Sequence, residues 1–155
     1  MDKDPRMPEW LVIVNPNAGN GKGKKEWQII STALKKRNIE FEFRFTSAKG
    51  EAASIASEGV NNGFRKIITA GGDGTLNEVL NGVFTSGIKD PSEVTLAIIP
   101  VGTGNDWGRL FGIPLDHEKA ADIISVGKTL NHDVGVIDYH DGPEKKRRYF
   151  INIAG

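Results

Sequence analysis

The stretch Thr69-Ala70-Gly71-Gly72-Asp73-Gly74-Thr75-Leu76-Asn77-Glu78 constrains this 155-residue chain more than any other. It follows an apolar run, residues 66–70, short enough for a buried parallel strand. Two glycines, an acid and a third glycine come next, which neither a strand nor a helix interior favours. Leu76, Val79, Leu80 and Val83 then recur at helical spacing. Strand, glycine turn and helix form the junction that turns backbone N–H groups and a helix N-terminus toward an anion. Asp73 inside the turn suits a phosphate only with Mg²⁺ between them. Thr75 and Glu78 also have capping-box spacing, so a plain helix start is the competing explanation. Capping leaves Asp73 between its glycines unexplained.

The glycine loop after the first predicted strand supports an anion site. Residues 10–14 are apolar throughout, as a strand covered on both faces requires. They run into Asn15-Pro16-Asn17-Ala18-Gly19-Asn20-Gly21-Lys22-Gly23-Lys24, read as a loop. Neither Lys22 nor Lys24 precedes a Ser or Thr, so this is not a Walker A loop. Lys24 stands where a dinucleotide fingerprint needs its third glycine. Glycines with mobile lysines still suit phosphate.

The rest of the pattern alternates. Residues 25–37 read as a helix with Trp27, Ile30 and Leu34 inward. Residues 40–45 read as a strand with Phe41, Phe43 and Phe45 on one face, delivering Thr46 to its end; a turn or capping role is the simpler account of Thr46 alone. A helix over 50–62 and a fourth strand over 94–99 follow. That strand ends in Pro100-Val101-Gly102-Thr103-Gly104-Asn105-Asp106, with Asn105 as an N-cap and Asp106 paired to Arg109. Residues 116–127 form a helix with Ala120, Ile123 and Ile124 inward. Residues 130–139 and 147–153 read as strands, with Asp133 in the first and the charged run 144–148 as a solvated hairpin tip. The histidines fall on loops or strand edges without ligand spacing.

The pattern predicts a doubly wound α/β domain with a mostly parallel sheet over residues 10–155, preceded by a flexible 1–9. Its polar-glycine turns fall at strand C-terminal ends, where open parallel sheets bind ligands. Residues 15–19, Thr46, residues 72–78 and Thr103 are therefore expected around one crevice. Twenty basic and twenty acidic residues cancel, so no net field points to nucleic acid. The absence of cysteine excludes disulfides, zinc–thiolate sites and thiol catalysis, and fits a reducing cytoplasm. No apolar run reaches the ~20 residues of a membrane span, and no signal-peptide core opens the chain.

Gly71-Gly72-Asp73-Gly74-Thr75 resembles the signature of a superfamily containing diacylglycerol, sphingosine and NAD kinases and 6-phosphofructokinases. Asn15-Pro16-Asn17-Ala18-Gly19, Leu76-Asn77-Glu78-Val79 and Pro100-Val101-Gly102-Thr103-Gly104-Asn105-Asp106 narrow it. Together they resemble the catalytic domain of bacterial-type diacylglycerol kinases, from about Leu11 to Gly155. The resemblance implies a phosphofructokinase/NAD kinase-like fold and an ATP-binding lipid kinase of phospholipid biosynthesis, making phosphatidic acid from diacylglycerol. It implies ATP contacts from Asn15, Pro16, Asn17, Ala18, Gly19, Thr46, Gly72, Asp73, Gly74, Thr75, Leu76, Asn77, Glu78 and Thr103. It implies Mg²⁺ at Asp73, and an acidic network of Asp73, Asp106 and Asp133 around the phosphates. Partners would be ATP or ADP, the lipid and, transiently, the inner surface of the cytoplasmic membrane. The family's second, β-sandwich domain, which supplies the base and part of the lipid cleft, is expected to be absent, leaving a chain inactive by itself. Phe150, Ile151 and Ile153 would then form an exposed edge that favours dimerisation. The alternatives are a non-catalytic nucleotide-binding module and an NAD kinase-like enzyme.

Overall fold

Five consecutive apolar residues make β1, Trp10–Val14, a strand with no polar face, and all five are buried. Such a strand needs cover on both sides. In the computed structural model, which describes residues 4–102 and 105–151, it sits inside a four-stranded parallel sheet of order β2-β1-β3-β4. The other strands are β2, Phe41–Phe45, β3, Lys66–Gly71, and β4, Thr95–Pro100. Strand alternation divides the core. Trp10, Val12, Val14, Ile68 and Ala70 pack with α1, Ala18–Lys36, and α5, His117–Val126. Leu11, Ile13 and Ile67 pack with α2, Glu51–Asn61, and α3, Asp73–Thr85. The doubly wound α/β expectation is met.

Several local expectations shift. The loop predicted over 15–24 is shorter, because α1 is entered through a left-handed turn at Gly19, Asn20 and Gly21 (φ 60°, 59° and 89°). Lys22 and Lys24 therefore sit on the first turns of the helix, exposed to solvent. In α5 Ala120 and Ala121 are buried and Ile124 packs against the core as expected, whereas Ile123 is 45 % exposed. Its N-cap is Asp116, which accepts the Lys119 N–H at 3.1 Å. Met7, ahead of β1, packs against the α2–α3 side of the core.

The C-terminal strands are β5, Gly135–Asp141, and β6, Glu144–Phe150, an antiparallel hairpin separate from the main sheet. The charged run 144–148 lies in β6 rather than at a tip, because the turn needs only Gly142 (φ 63°) and Pro143. Asp133 lies in the irregular segment ahead of β5. Phe150 is half-buried over Gly135 rather than exposed, and Ile153 lies outside the described residues.

An isolated two-stranded hairpin is marginal in water, and this one is fastened to α3. Asn81 Nδ2 donates to the Tyr149 carbonyl and the Tyr149 N–H donates to Asn81 Oδ1, both at 2.8 Å. Phe84 stacks on Tyr149 with centroids 4.4 Å apart. Asn81→Ala is expected to speed amide exchange across β5 and β6 by roughly ten- to a hundredfold, the worth of two hydrogen bonds. Exchange in β1 and β3 should be unchanged. Mass-spectrometric exchange checks this, and uniform protection in the variant would refute it.

Candidate active site

The order β2-β1-β3-β4 places the reversal of winding between β1 and β3. The strands there end at Val14 and Gly71, so their outgoing turns face each other across the crevice where open α/β sheets take ligands. Asn15 spans it. Its Oδ1 accepts the Asn17 N–H at 3.0 Å, shaping the turn, and its Nδ2 donates to Thr75 Oγ1 at 3.1 Å. Thr75 is therefore not a helix cap. It is buried in the first turn of α3, whose N-cap position is Gly72.

No side chain caps the N-terminus of α3. Its first N–H groups have no intrahelical acceptor, and they open onto the crevice. Neither Gly72 (φ −105°) nor Gly74 has the left-handed backbone that would demand glycine. A Cβ on Gly74 would meet nothing within 4 Å among the described residues. What glycine offers there is room for something outside the chain. Across the site, Gly19 and Gly102 bring two loops into backbone contact. A Cβ on Gly102 would lie 2.8 Å from the Gly19 Cα.

Asp73 opens α3 and also accepts the N–H groups of Asp106 (2.7 Å) and Trp107 (3.3 Å). Those residues begin α4, Asp106–Leu110, so one carboxylate ties α3 to α4. Asn105 does hold the N-cap position of α4, but its side chain makes no capping bond. Asp106 pairs with Arg109 at 2.7 Å as expected, well out in solvent.

Buried polar atoms without protein partners gather nearby. Glu78 Oε1 on α3, both amide atoms of Asn105 and the Trp107 Nε1 are all of this kind among the described residues. Asn105 is 1 % exposed.

Of the residues expected to converge, Asn15 bonds Thr75; in the expected acidic network Asp73 takes only the Asp106 N–H, the Asp106 carboxylate turning to Arg109. Gly19 approaches the fourth-strand loop at Gly102. Thr46 is buried at the end of β2 and donates its N–H to Val14. The turn ahead of α2 is tied instead by Glu51, whose carboxylate accepts the Ser47 and Ala48 N–H groups. Asp133 is exposed, with His132 Nδ1 2.6 Å from its carbonyl oxygen. Thr103 lies outside the described residues. His117 opens α5, inside the helix expected over 116–127, and its Nε2 lies 3.1 Å from Glu26 Oε2. Sequence reasoning missed the aromatic group of Trp107, Phe111 and His132, with centroid separations of 4.9–6.2 Å, beside α4. Only the fold brings His132 to that group.

A divalent cation fits the site's oxygen chemistry. No group of three or more His, Cys, Asp or Glu among the described residues is arranged to hold a metal alone. Mg²⁺ commonly needs only one or two carboxylates beside phosphate and water oxygens. Asp73 and the unpaired Glu78 oxygen are such donors.

Residues 9–137 match the family described as the diacylglycerol kinase catalytic domain. The chain is 35 % identical over 143 residues to a diacylglycerol kinase of Staphylococcus saprophyticus, covering 92 % of this chain and 43 % of that one. It is 36 % identical over 143 residues to one from Staphylococcus aureus, with 92 % and 42 % covered. It also resembles the crystal structure of a diacylglycerol kinase from Bacillus anthracis, with TM-score 0.65 and 32 % identity. That match covers 87 % of this chain and 44 % of the other. The chain thus spans under half the length of these relatives.

Proposed function

Because this chain belongs to the diacylglycerol kinase catalytic-domain family, we propose that it holds ATP with Mg²⁺ at the β1–β3 crevice. There it serves transfer of the γ-phosphoryl group to the hydroxyl of diacylglycerol or a related lipid, giving phosphatidic acid. One observation carries the donor half. The Asn15–Thr75 bridge holds two glycine turns over the uncapped N-terminus of α3, with Asp73 beside it. The lipid acceptor rests on the family and on relatives named diacylglycerol kinase.

In this reading the first-turn N–H groups of α3 and the turn over Asn15, Pro16, Asn17, Ala18 and Gly19 bind phosphate oxygens. Lys22 and Lys24 add mobile positive charge. Asp73 would hold the metal, which when bound neutralises charge on the transferring phosphoryl group. The lipid hydroxyl oxygen bonds to the γ-phosphorus, the bond to the ADP oxygen breaks, and the hydroxyl proton passes to a general base. None of the described acids is placed as that base by a contact, and Asp133 stands too exposed to be assigned it. A lipid acceptor also calls for transient contact with a membrane surface. No helix among the described residues is long and apolar enough to cross one.

Asp73→Asn separates the metal role from the structural one. Asn keeps one acceptor oxygen where the carboxylate serves two N–H groups, so part of the tie to α4 is lost. That costs about 1 kcal/mol, or roughly 2–4 °C in thermal midpoint. Affinity for MgADP should fall at least about tenfold, on the scale of altered metal coordination, with metal-free ADP affected far less. Calorimetry with and without Mg²⁺ measures both, and equal losses would remove the metal from Asp73. The acceptor is tested by label transfer from radiolabelled ATP to diacylglycerol in mixed micelles, using the complete gene product. ATP binding without label in any lipid would leave a nucleotide-binding module.

A further inference from the structure

Helix α4 carries at its N-cap position a residue that does not cap it. Asn and Asp lead at that position because the side-chain oxygen can accept the N–H two or three residues on. Asn105 holds it, yet its side chain makes no capping bond. The residue is 1 % exposed, and neither amide atom has a partner. Leaving buried polar atoms unpaired is costly, so this placement calls for a second state in which the amide is bonded. The amide lies against Gly108, the third residue of the helix. A Cβ on Gly108 would overlap Asn105 Oδ1 and stand 2.5 Å from its Nδ2. Gly108 has no positive φ, and the three atoms nearest to such a Cβ all belong to the Asn105 amide. Glycine there keeps a seat for that amide, beside the Trp107 N–H.

Capping falls instead to Asp73, 33 positions before Asp106. Its Oδ2 accepts the Asp106 N–H at 2.7 Å and its Oδ1 accepts the Trp107 N–H at 3.3 Å. The second bond is long for an N–H donor. Trp107 is also the second helical residue, one of the two whose N–H an N-cap side chain serves. Given the metal role proposed for Asp73, we propose that Asn105 is the reserve cap of α4. It takes the Trp107 N–H from Asp73 Oδ1 when that carboxylate turns to the metal of a nucleotide. A metal competes with both N–H groups for the Asp73 oxygens, and the longer bond, at Oδ1, yields first. Oδ2 keeps the Asp106 N–H. The Asn105 amide moves off Gly108 and gains the partner it lacks, so the number of satisfied N–H groups stays constant. The start of α4, with the Asp106–Arg109 pair on it, therefore holds its place while Asp73 changes duty. Asn105 touches no ligand in either state and acts through Asp73 as a positioning residue.

Calorimetry and amide hydrogen exchange on the complete gene product test this, with ADP in the presence and absence of Mg²⁺. Asn105→Ala should weaken MgADP binding by roughly three- to thirtyfold, the range that loss of an N-cap spans. Metal-free ADP leaves Asp73 on α4, so its affinity should stay at the wild-type value. Asn105→Ser keeps a capping oxygen and should recover most of the MgADP affinity. Exchange then locates the effect. Without ligand, residues 106–110 should be equally protected in the wild type and in Asn105→Ala, because Asp73 holds them in both. MgADP should leave that protection intact in the wild type and lower it in Asn105→Ala. A loss shared equally by metal-free ADP, or one that Ser fails to recover, would overturn the exchange of caps. Protection of 106–110 that MgADP leaves unaltered in Asn105→Ala would do the same. Wild-type binding that gains nothing from Mg²⁺ would remove the metal from Asp73, and the reserve cap with it. Wild-type binding that gains from Mg²⁺ while Asn105→Ala binds equally well would refute the reserve cap alone.

Discussion

Gly74→Ala is expected to weaken ADP binding by roughly one to two orders of magnitude, the cost of displacing one or two charge-assisted hydrogen bonds. Its thermal midpoint should stay level or rise. The two halves come from one geometry. Gly74 lies in the first turn of α3 without a positive φ, and the space where its Cβ would stand is open. Alanine is the better helix residue by about 0.5–1 kcal/mol. Nothing among the described residues resists the methyl group, so the expected loss comes from a ligand drawn close to the backbone. Calorimetry of ADP binding beside a melting curve reads both quantities. Unchanged affinity would mean that no phosphate approaches this turn, and the proposed donor site would have to move.

Gly82→Ala should do the reverse, damaging the fold first. Gly82 lies where α3 crosses α2, and a Cβ there would overlap the Ala53 carbonyl oxygen and stand 2.9 Å from its carbon and from the Ala56 Cβ. A carbonyl inside a helix has no rotamer with which to retreat, so the two helices must part. Overpacking of this kind costs about 2–3 kcal/mol, or roughly 4–12 °C in a domain this size. Gly59→Ala is the matched control, because its Cβ would meet the movable end of Leu11. The loss at Gly82 should clearly exceed that at Gly59. Equal melting of Gly82→Ala and wild type would show that α2 and α3 do not pack this closely, which would also unsettle the position of the α3 N-terminus.

Where apolar spacing is unbroken, the elements are legible in the chain. The run Trp10 to Val14 has one way to bury every residue, between two helical layers. The spacing of Leu76, Val79, Leu80 and Val83 admits one buried helix face, and all four are buried. Signals fade where composition and conformation part. Glycines and lysines ahead of Trp27 read as loop, although α1 already begins there behind three left-handed residues. Thr75 and Glu78 have the letters of a capping box, yet Thr75 serves Asn15, sixty positions earlier. The charged run at 144–148 looks like a solvated tip because a marginal hairpin, fastened by Asn81, has no apolar period to announce it.

The residues of the candidate site divide in the same way. Local sequence alone determined that glycine-rich turns follow β1, β3 and β4, since no other element tolerates those residues after a buried strand. It also determined that Asp73 interrupts one of them. Strand order decided which turns meet, because only with β3 beside β1 do Asn15 and Thr75 come within hydrogen-bond reach. Tertiary structure also decided what Asp73 holds, the start of a helix 33 positions away. It also set β2 at the outside of the sheet, with β1 as its strand partner among the described residues. Backbone conformation responds to neighbours in sequence and can be read there, whereas these pairings are long-range choices made when the sheet assembles.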